Sequence, residues 1–302
     1  MPTIPEAFAK NIPVIFDGGA DWIKRLLGLL ETYAERWDLG LGEPFGLSFN
    51  YVVEAWLEDG SEAVLKLGIP CPDFRYELWA LGSYAGRGAV RLLESDLEGG
   101  AMLLERVRPG DRLTRLEPGD EASHLAAEIM RKLHQTPVQH DFPHVSDWGR
   151  ELLEAHQRKD PRLSKIPSAL LDEALAAYPD LLASSPAPVL LHGDLHHFNI
   201  LRGQNGWVAI DPKGGLGDPA YEPAQFLHNP SFADKSAGIE CWPDLVLRTA
   251  RRLEIFSEAL SIPKERIRAW GIFQAALSSW WALENNYFDP SWLKAGLAIQ
   301  SC

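Results

Sequence analysis

The sequence predicts an α+β fold of two lobes, β-rich over residues 1–107 and mainly helical over residues 108–302. Three observations point to it. Aromatic and β-branched runs separated by turn residues crowd the stretch before Pro109-Gly110, and long apolar patterns of helical period fill the stretch after it. One interruption of the helical half, at 189–211, gathers polar side chains between short apolar runs. With 302 residues and 46% hydrophobic composition, the chain can bury a proper core in one large domain or two lobes.

In chain order, residues 49–57 are aromatic and β-branched, Glu58-Asp59-Gly60-Ser61 is turn chemistry, and Ala63 to Leu67 is a second apolar run. The pair reads as a β-hairpin. After Pro72 the period changes to that of a helix, with Phe74, Leu78, Leu81 and Ala85 on one face and Gly86-Arg87-Gly88 ending it. The runs Ala89 to Leu93 and Ala101 to Val107 flank an Asp-Leu-Glu-Gly-Gly turn and complete a small sheet. Beyond residue 110, helical patterns cover about 120–135, 147–158, 167–183, 243–260 and 264–286.

A net charge of −13 and a pI near 5.2 exclude a nucleic-acid partner, since duplex binding draws on a basic stripe that is absent here. A cationic ligand suits this balance better. Cys71, Cys241 and Cys302 are odd in number and lack C-x-x-C spacing, so neither a disulfide framework nor a zinc ribbon is readable. No basic segment followed by an apolar run opens the chain, and no run of about 18 apolar residues follows. These features predict a soluble cytoplasmic protein with no membrane partner.

The chemistry lies in His192-Gly193-Asp194-Leu195-His196-His197-Phe198-Asn199. Asp194 is followed five residues later by Asn199, and Asp211 comes twelve residues after that, on the far arm of a hairpin around Gly203 to Gly206. Phosphoryl transfer needs one carboxylate to accept the proton of the attacking hydroxyl and oxygen ligands to hold magnesium. Asp194 fits the first task, and Asn199 with Asp211 the second, because a hairpin returns its two ends to the same place. His192, His196 and His197 offer a competing reading as a zinc cluster. Gly193 and the short span argue for a loop rather than the helix that such spacing requires, and no Glu stands between the histidines.

This segment resembles the aminoglycoside phosphotransferase branch of the protein-kinase-like fold, and Ala209 to Lys213 with Gly217 to Tyr221 narrows the resemblance to the streptomycin 6-kinase and hydroxyurea phosphotransferase group. The resemblance implies a two-lobed kinase with ATP and Mg2+ as cofactors and a hydroxyl of a small, cationic molecule as acceptor. It implies that Lys66 steadies the nucleotide and that Glu77 is its ion-pair partner. Residues 46–53 keep the first Gly and the final Val of the kinase glycine-rich loop but replace two glycines with Ser48 and Tyr51, so the Ser48 hydroxyl becomes the candidate phosphate contact. Glu105 and Val107 would meet the adenine edge through their backbone, with Leu104 behind it. His192 is expected to shape the loop by bonding backbone near Asp211. Asp218 reads as a helix N-cap before Pro219 that also braces the catalytic loop.

The late helices carry Trp270, Phe273, Trp280, Trp281, Tyr287, Phe288 and Trp292, a load that is core by default. Glu222 and Glu284 are the acids expected to hold the acceptor's positive groups, with Asp147, Asp244 and Asp289 as weaker candidates. The expected acceptor is streptomycin or a similar aminoglycoside, or hydroxyurea. An amino-alcohol or sugar kinase would keep every motif and change only the late helices, and an inactive kinase-like binder would have no need of Asp194.

Overall fold

The computed structural model describes residues 2–116, 119–229, 242–285 and 290–302. Chain contacts divide it into two compact units, Met1–Gly86 with Val90–Val107, and Arg87–Ala89 with Arg108–Cys302. Cys241, Tyr287, Phe288 and Asp289 lie outside the described residues.

The first unit opens with helices α1 (Glu6–Ile15) and α2 (Gly19–Arg36). Strands β1 (Gly40–Pro44), β2 (Tyr51–Trp56) and β3 (Glu62–Leu67) follow, then helix α3 (Pro72–Tyr84) and strands β4 (Leu92–Asp96) and β5 (Ala101–Glu105). The sheet is antiparallel, ordered β1-β2-β3-β5-β4. Alternation along its strands separates two faces. Tyr51, Val53, Ala55, Leu65, Leu67 and Leu103 join Phe8, Ile12, Trp22, Leu26 and Leu30 of α1 and α2 in one buried core. The helices of the first 40 residues thus cover one face of the sheet, and their amphipathic spacing, Trp22, Leu26, Leu30, Tyr33, is the sequence signal for it. Tyr33 donates to Asp96 at 3.0 Å, Arg36 pairs with the same carboxylate, and Gly99 N–H caps its other oxygen, which ties α2 to the β4–β5 turn.

Lys66 falls on the opposite face, in register with Val52 on one neighbouring strand and Met102 on the other. The apolar run expected at Ala89 to Leu93 splits: the strand proper starts at Leu92, and Ala89 instead bridges Ala209 within the second unit.

The second unit contains α4 (Glu121–His134), α5 (Val145–Gln157) and α6 (Ser168–Ala183), then strands β6 (Val189–Leu191), β7 (Ile200–Gly203), β8 (Gly206–Ala209) and β9 (Gly215–Gly217). Helices α7 (Tyr221–Leu227), α8 (Trp242–Leu260), α9 (Lys264–Glu284) and α10 (Ser291–Gln300) complete it. The strands form two two-stranded antiparallel sheets, β6–β9 and β7–β8. Helix α9 is the axis of this unit: Trp270, Phe273 and Trp280 are fully buried, and Phe273 stacks on Tyr178 of α6 with centroids 4.0 Å apart. Those aromatics are core, whereas Trp281 is half-buried. No described helix is long and apolar enough to cross a membrane.

Candidate active site

In the first unit, β3 and α3 enclose an ion pair. Lys66 Nζ donates to Glu77 Oε1 at 2.5 Å, and the two residues are 3% and 7% exposed. The strand places Lys66 on the face away from the α1–α2 core, and α3 begins at Pro72 in time to bring Glu77 over it. Ser48 stands exposed in the turn between β1 and β2. Leu104 is buried on β5, while the Glu105 carboxylate is taken by the backbone N–H and the Nε of Arg91, both at 2.9 Å, and Glu105 N–H donates to Arg91 O at 3.0 Å. Val107 is half-buried just past the end of β5.

In the second unit, β6 delivers the chain into residues 192–199 and β7 carries it away. Gly193 adopts a φ of +79°, and a Cβ there would lie 3.1 Å from the Trp148 ring, so the turn needs glycine for both conformation and space. The hairpin closes as its length requires. Ile210 N–H donates to Asn199 O at 2.9 Å, which puts Asp211 beside Asn199, and Asp211 itself takes a φ of +57°.

His192 links these pieces. Its Nε2 donates to Ile210 O at 2.9 Å, a carbonyl that can only accept, which leaves Nδ1 to accept from Asp194 N–H at 3.3 Å. Burial holds this imidazole below its ordinary pKa against the opposing pull of Glu222 and Asp194, and the neutral tautomer is the one the bonds require. Lys213 N–H returns to His192 O at 2.8 Å, closing the loop onto the segment after Asp211.

Asn199 Nδ2 donates to Asp194 O at 3.0 Å, so its Oδ1 is the atom left to face a cation. One neutral oxygen and the Asp211 carboxylate form a hard, incomplete donor set that suits magnesium, which completes its shell with water and phosphate oxygens. The histidines do not form a zinc site. His196 Nδ1 accepts from Phe198 N–H, His197 is buried against the Phe226 ring, and His192 is committed to Ile210. No group of three His, Cys, Asp or Glu side chains fit to hold a metal occurs among the described residues.

Three of the expected acids have other tasks. Glu222 is 0% exposed, and its carboxylate accepts from His192 N–H at 2.6 Å and Gly193 N–H at 3.0 Å. From α7 it braces the 192–199 loop, and a buried carboxylate already holding two donors has no free face for an acceptor. Asp218 does not brace that loop. Its Oδ1 caps Ala220 N–H, and its Oδ2 accepts from Arg266 Nε at 2.6 Å and Trp270 Nε1 at 2.8 Å, which anchors the entry to α7 on α9. Asp147 is spent on the capping box of α5, bonding His144 N–H, and on Arg150. Asp244 is exposed in the first turn of α8. Glu284 is exposed in the last turn of α9, where it adds to the field of Asp160 in raising the pKa of Arg162.

One site residue escaped the sequence reading. Gln225 of α7 is buried, and its Nε2 donates to Asp194 Oδ1 at 3.2 Å. Its signal was its place three residues after Glu222, on the same helical face.

The family described as aminoglycoside/hydroxyurea antibiotic resistance kinase matches residues 39–286 of this chain. The chain is similar to streptomycin 6-kinase of Streptomyces glaucescens, 28% identical over 98% of this chain and 97% of that protein. It is also similar to hydroxyurea phosphotransferase of Kitasatospora aureofaciens, 30% identical over 88% of this chain and 76% of that protein. In fold it is similar to aminoglycoside phosphotransferase APH(4)-Ia in complex with ADP and hygromycin B, with a TM-score of 0.63 and 16% identity over 90% of this chain and 97% of that one. The fold is thus the protein-kinase-like α+β fold that the motifs led one to expect. By the match over residues 39–286, which contain Lys66, Asp194, Asn199 and Asp211, the chain belongs to the aminoglycoside/hydroxyurea antibiotic resistance kinases.

Proposed function

We propose that this protein transfers the γ-phosphoryl group of ATP to a hydroxyl of an aminoglycoside-type antibiotic resembling streptomycin, or of hydroxyurea. The observation that carries the reading is the state of Asp194. Its side chain is 28% exposed in a loop where the His192 ring, the His192 and Gly193 amides and the Asn199 amide are bonded inward, so it is the group offered to an acceptor. The two relatives named above support the acceptor class.

In the proposed reaction the acceptor oxygen attacks the γ-phosphorus, the bond to the β-phosphate oxygen breaks and ADP leaves. The hydroxyl proton passes to Asp194 and from there to water. Asn199 Oδ1 and the Asp211 carboxylate are the ligands for magnesium, which when bound neutralises the charge on the β- and γ-phosphate oxygens. Lys66, held by Glu77, steadies the α- and β-phosphates, Ser48 meets phosphate oxygens, and the main chain of Glu105 and Val107 meets the adenine edge beside Leu104. His192 keeps the loop closed. Glu284 remains the acid proposed for a positive group of the acceptor.

An acceptor panel scored by ADP release tests this: streptomycin, other aminoglycosides, hydroxyurea, choline, ethanolamine and hexoses, each with ATP and magnesium. Streptomycin or hydroxyurea is expected to stimulate release far above the slow hydrolysis seen with magnesium and ATP alone. A response confined to choline, ethanolamine or a hexose would overturn the acceptor class.

A further inference from the structure

Helix α7 turns one face to the catalytic loop. Glu222 and Gln225 are three residues apart, a spacing that puts both side chains on that face. Glu222 holds the loop's backbone, and Gln225 reaches the catalytic side chain itself, donating from Nε2 to Asp194 Oδ1 at 3.2 Å. A carboxylate can only accept, so the amide must present its N–H to it. Gln225 is 6% exposed, and α7 is fixed in turn from α9, where Gln274 donates to Tyr221 O at 2.7 Å and His228 bonds Gly271 O at 3.0 Å.

The two oxygens of Asp194 are therefore not equivalent. Oδ2 has Asn199 Nδ2 at 3.5 Å and His196 Nε2 at 3.7 Å, at or beyond the limit of hydrogen bonding, and Asn199 gives its shorter bond to the backbone. Rotation of a carboxylate about its last torsion is soft, with a broad two-fold preference, so one bond to one oxygen is what fixes its plane.

We propose that Gln225 is a positioning residue for phosphoryl transfer: it holds Oδ1 of Asp194, so that Oδ2 is the oxygen that receives the acceptor's hydroxyl proton. The inference rests on Asp194 being the base. Gln225 acts through Asp194, so its loss misaligns the base without removing a contact to either substrate.

The test compares wild type, Gln225→Met, Gln225→Glu and Asp194→Asn, with ATP and magnesium and with streptomycin as acceptor, and in parallel by ATP hydrolysis with water in the acceptor's place. Gln225→Met keeps length and burial but has no donor, and Gln225→Glu keeps shape but sets an acceptor against an acceptor. Both are expected to lower kcat about tenfold to a hundredfold, up to the lower end of the 10²- to 10⁴-fold range for a general base, because the base is misaligned and not removed. Acceptor KM and nucleotide Kd should stay within about threefold of wild type, which separates positioning from a packing defect or a substrate contact. If Gln225→Met does not fold, as thermal unfolding would show, Gln225→Glu decides by the same readout. A wild-type kcat in the folded variants, or a rise in KM with kcat unchanged, overturns the proposal. If Asp194→Asn is inactive while Gln225→Met is normal, only the role of Gln225 fails. If Asp194→Asn turns over normally, the reading of the base fails with it.

Discussion

Lys66 and Asp194 are charged side chains that meet burial in opposite ways. Lys66 is buried with a counter-ion, Glu77, whereas Asp194 keeps 28% of its side chain open and has buried groups around it: Glu222 under the backbone, His192 behind the turn, Gln225 on one oxygen. Under the proposed reaction, the contrast separates a group that holds its position from one that reacts. A buried ion pair resists any change of partner because each charge left alone is costly. A base that takes and returns a proton needs an open oxygen and a fixed frame.

The comparison breaks first at Asp194. Asp194→Asn should abolish phosphoryl transfer, a loss of about 10²- to 10⁴-fold or more, with nucleotide affinity within a few-fold of wild type. Asp211→Ala should by contrast lose magnesium-dependent nucleotide binding along with turnover, because a carboxylate ligand to a hard cation is gone. Titrating nucleotide with and without magnesium distinguishes the two. Unchanged magnesium dependence in Asp211→Ala would remove that residue from the ligand set.

The buried pair is tested through stability instead. Glu77→Gln should cost about 3 kcal/mol in denaturant unfolding, since it strips the counter-charge from Lys66, and a Lys66→Met/Glu77→Leu double substitution should recover most of it. Equal losses in the single and double variants would mean that the pair contributes through packing and not through charge.

His228 gives another kind of buried titratable group, one bonded to a backbone carbonyl. Burial pushes it down to about 4, only partly offset by its bond to Gly271 O. The unfolded chain therefore binds this proton below about 6.5 while the folded chain does not, so the contribution is fully present above pH 6.5. It is lost as pH falls from 6.5 towards 4, by an amount on the order of 3 kcal/mol. Unfolding measured across that window should show the slope, and His228→Gln should flatten it.

The smallest effect belongs to Glu284. If this exposed acid meets a cationic acceptor, acceptor KM should rise as salt goes from about 0.01 to 0.5 M and the screening length shrinks from roughly 30 Å to a few Å, with nucleotide saturating throughout. Glu284→Gln should raise KM by about two- to five-fold and weaken that salt dependence, in the range of an exposed ion pair. A neutral acceptor such as hydroxyurea should show neither response.

Much of this was legible in the chain before any coordinates. Asp194, Asn199 and Asp211 are brought together by a local hairpin, and local spacing is what a sequence displays most directly. Lys66 was readable because a strand alternates its faces, and the long helices because their apolar period runs for three turns or more. Glu222 holds the loop that Asp218 was expected to brace, and spacing did not show it, for the opposite reason. Asp218 lies between β9 and α7 and Glu222 in the first turn of α7, and which one lies under the loop depends on the placement of α7 against β6 and α9, a tertiary fact with no signature in spacing. The three-residue strands β6 and β9 are too short for any periodicity to register. Gln225 was overlooked because a glutamine on a helix is ordinarily a surface residue.

The double bond from Glu222 to the amides of His192 and Gly193 has a consequence for motion. Amide protons in a surface loop usually exchange with solvent at the pace of local fluctuation, but these two are donated to a carboxylate that belongs to a buried helix. They can be released only when α7 separates from the loop. Their hydrogen–deuterium exchange should therefore follow the slow amides of α7 and α9, while Ser48, exposed in its turn, exchanges fast. In dynamic terms the segment carrying the proposed base is part of the helical core, and only its outward oxygen behaves as surface.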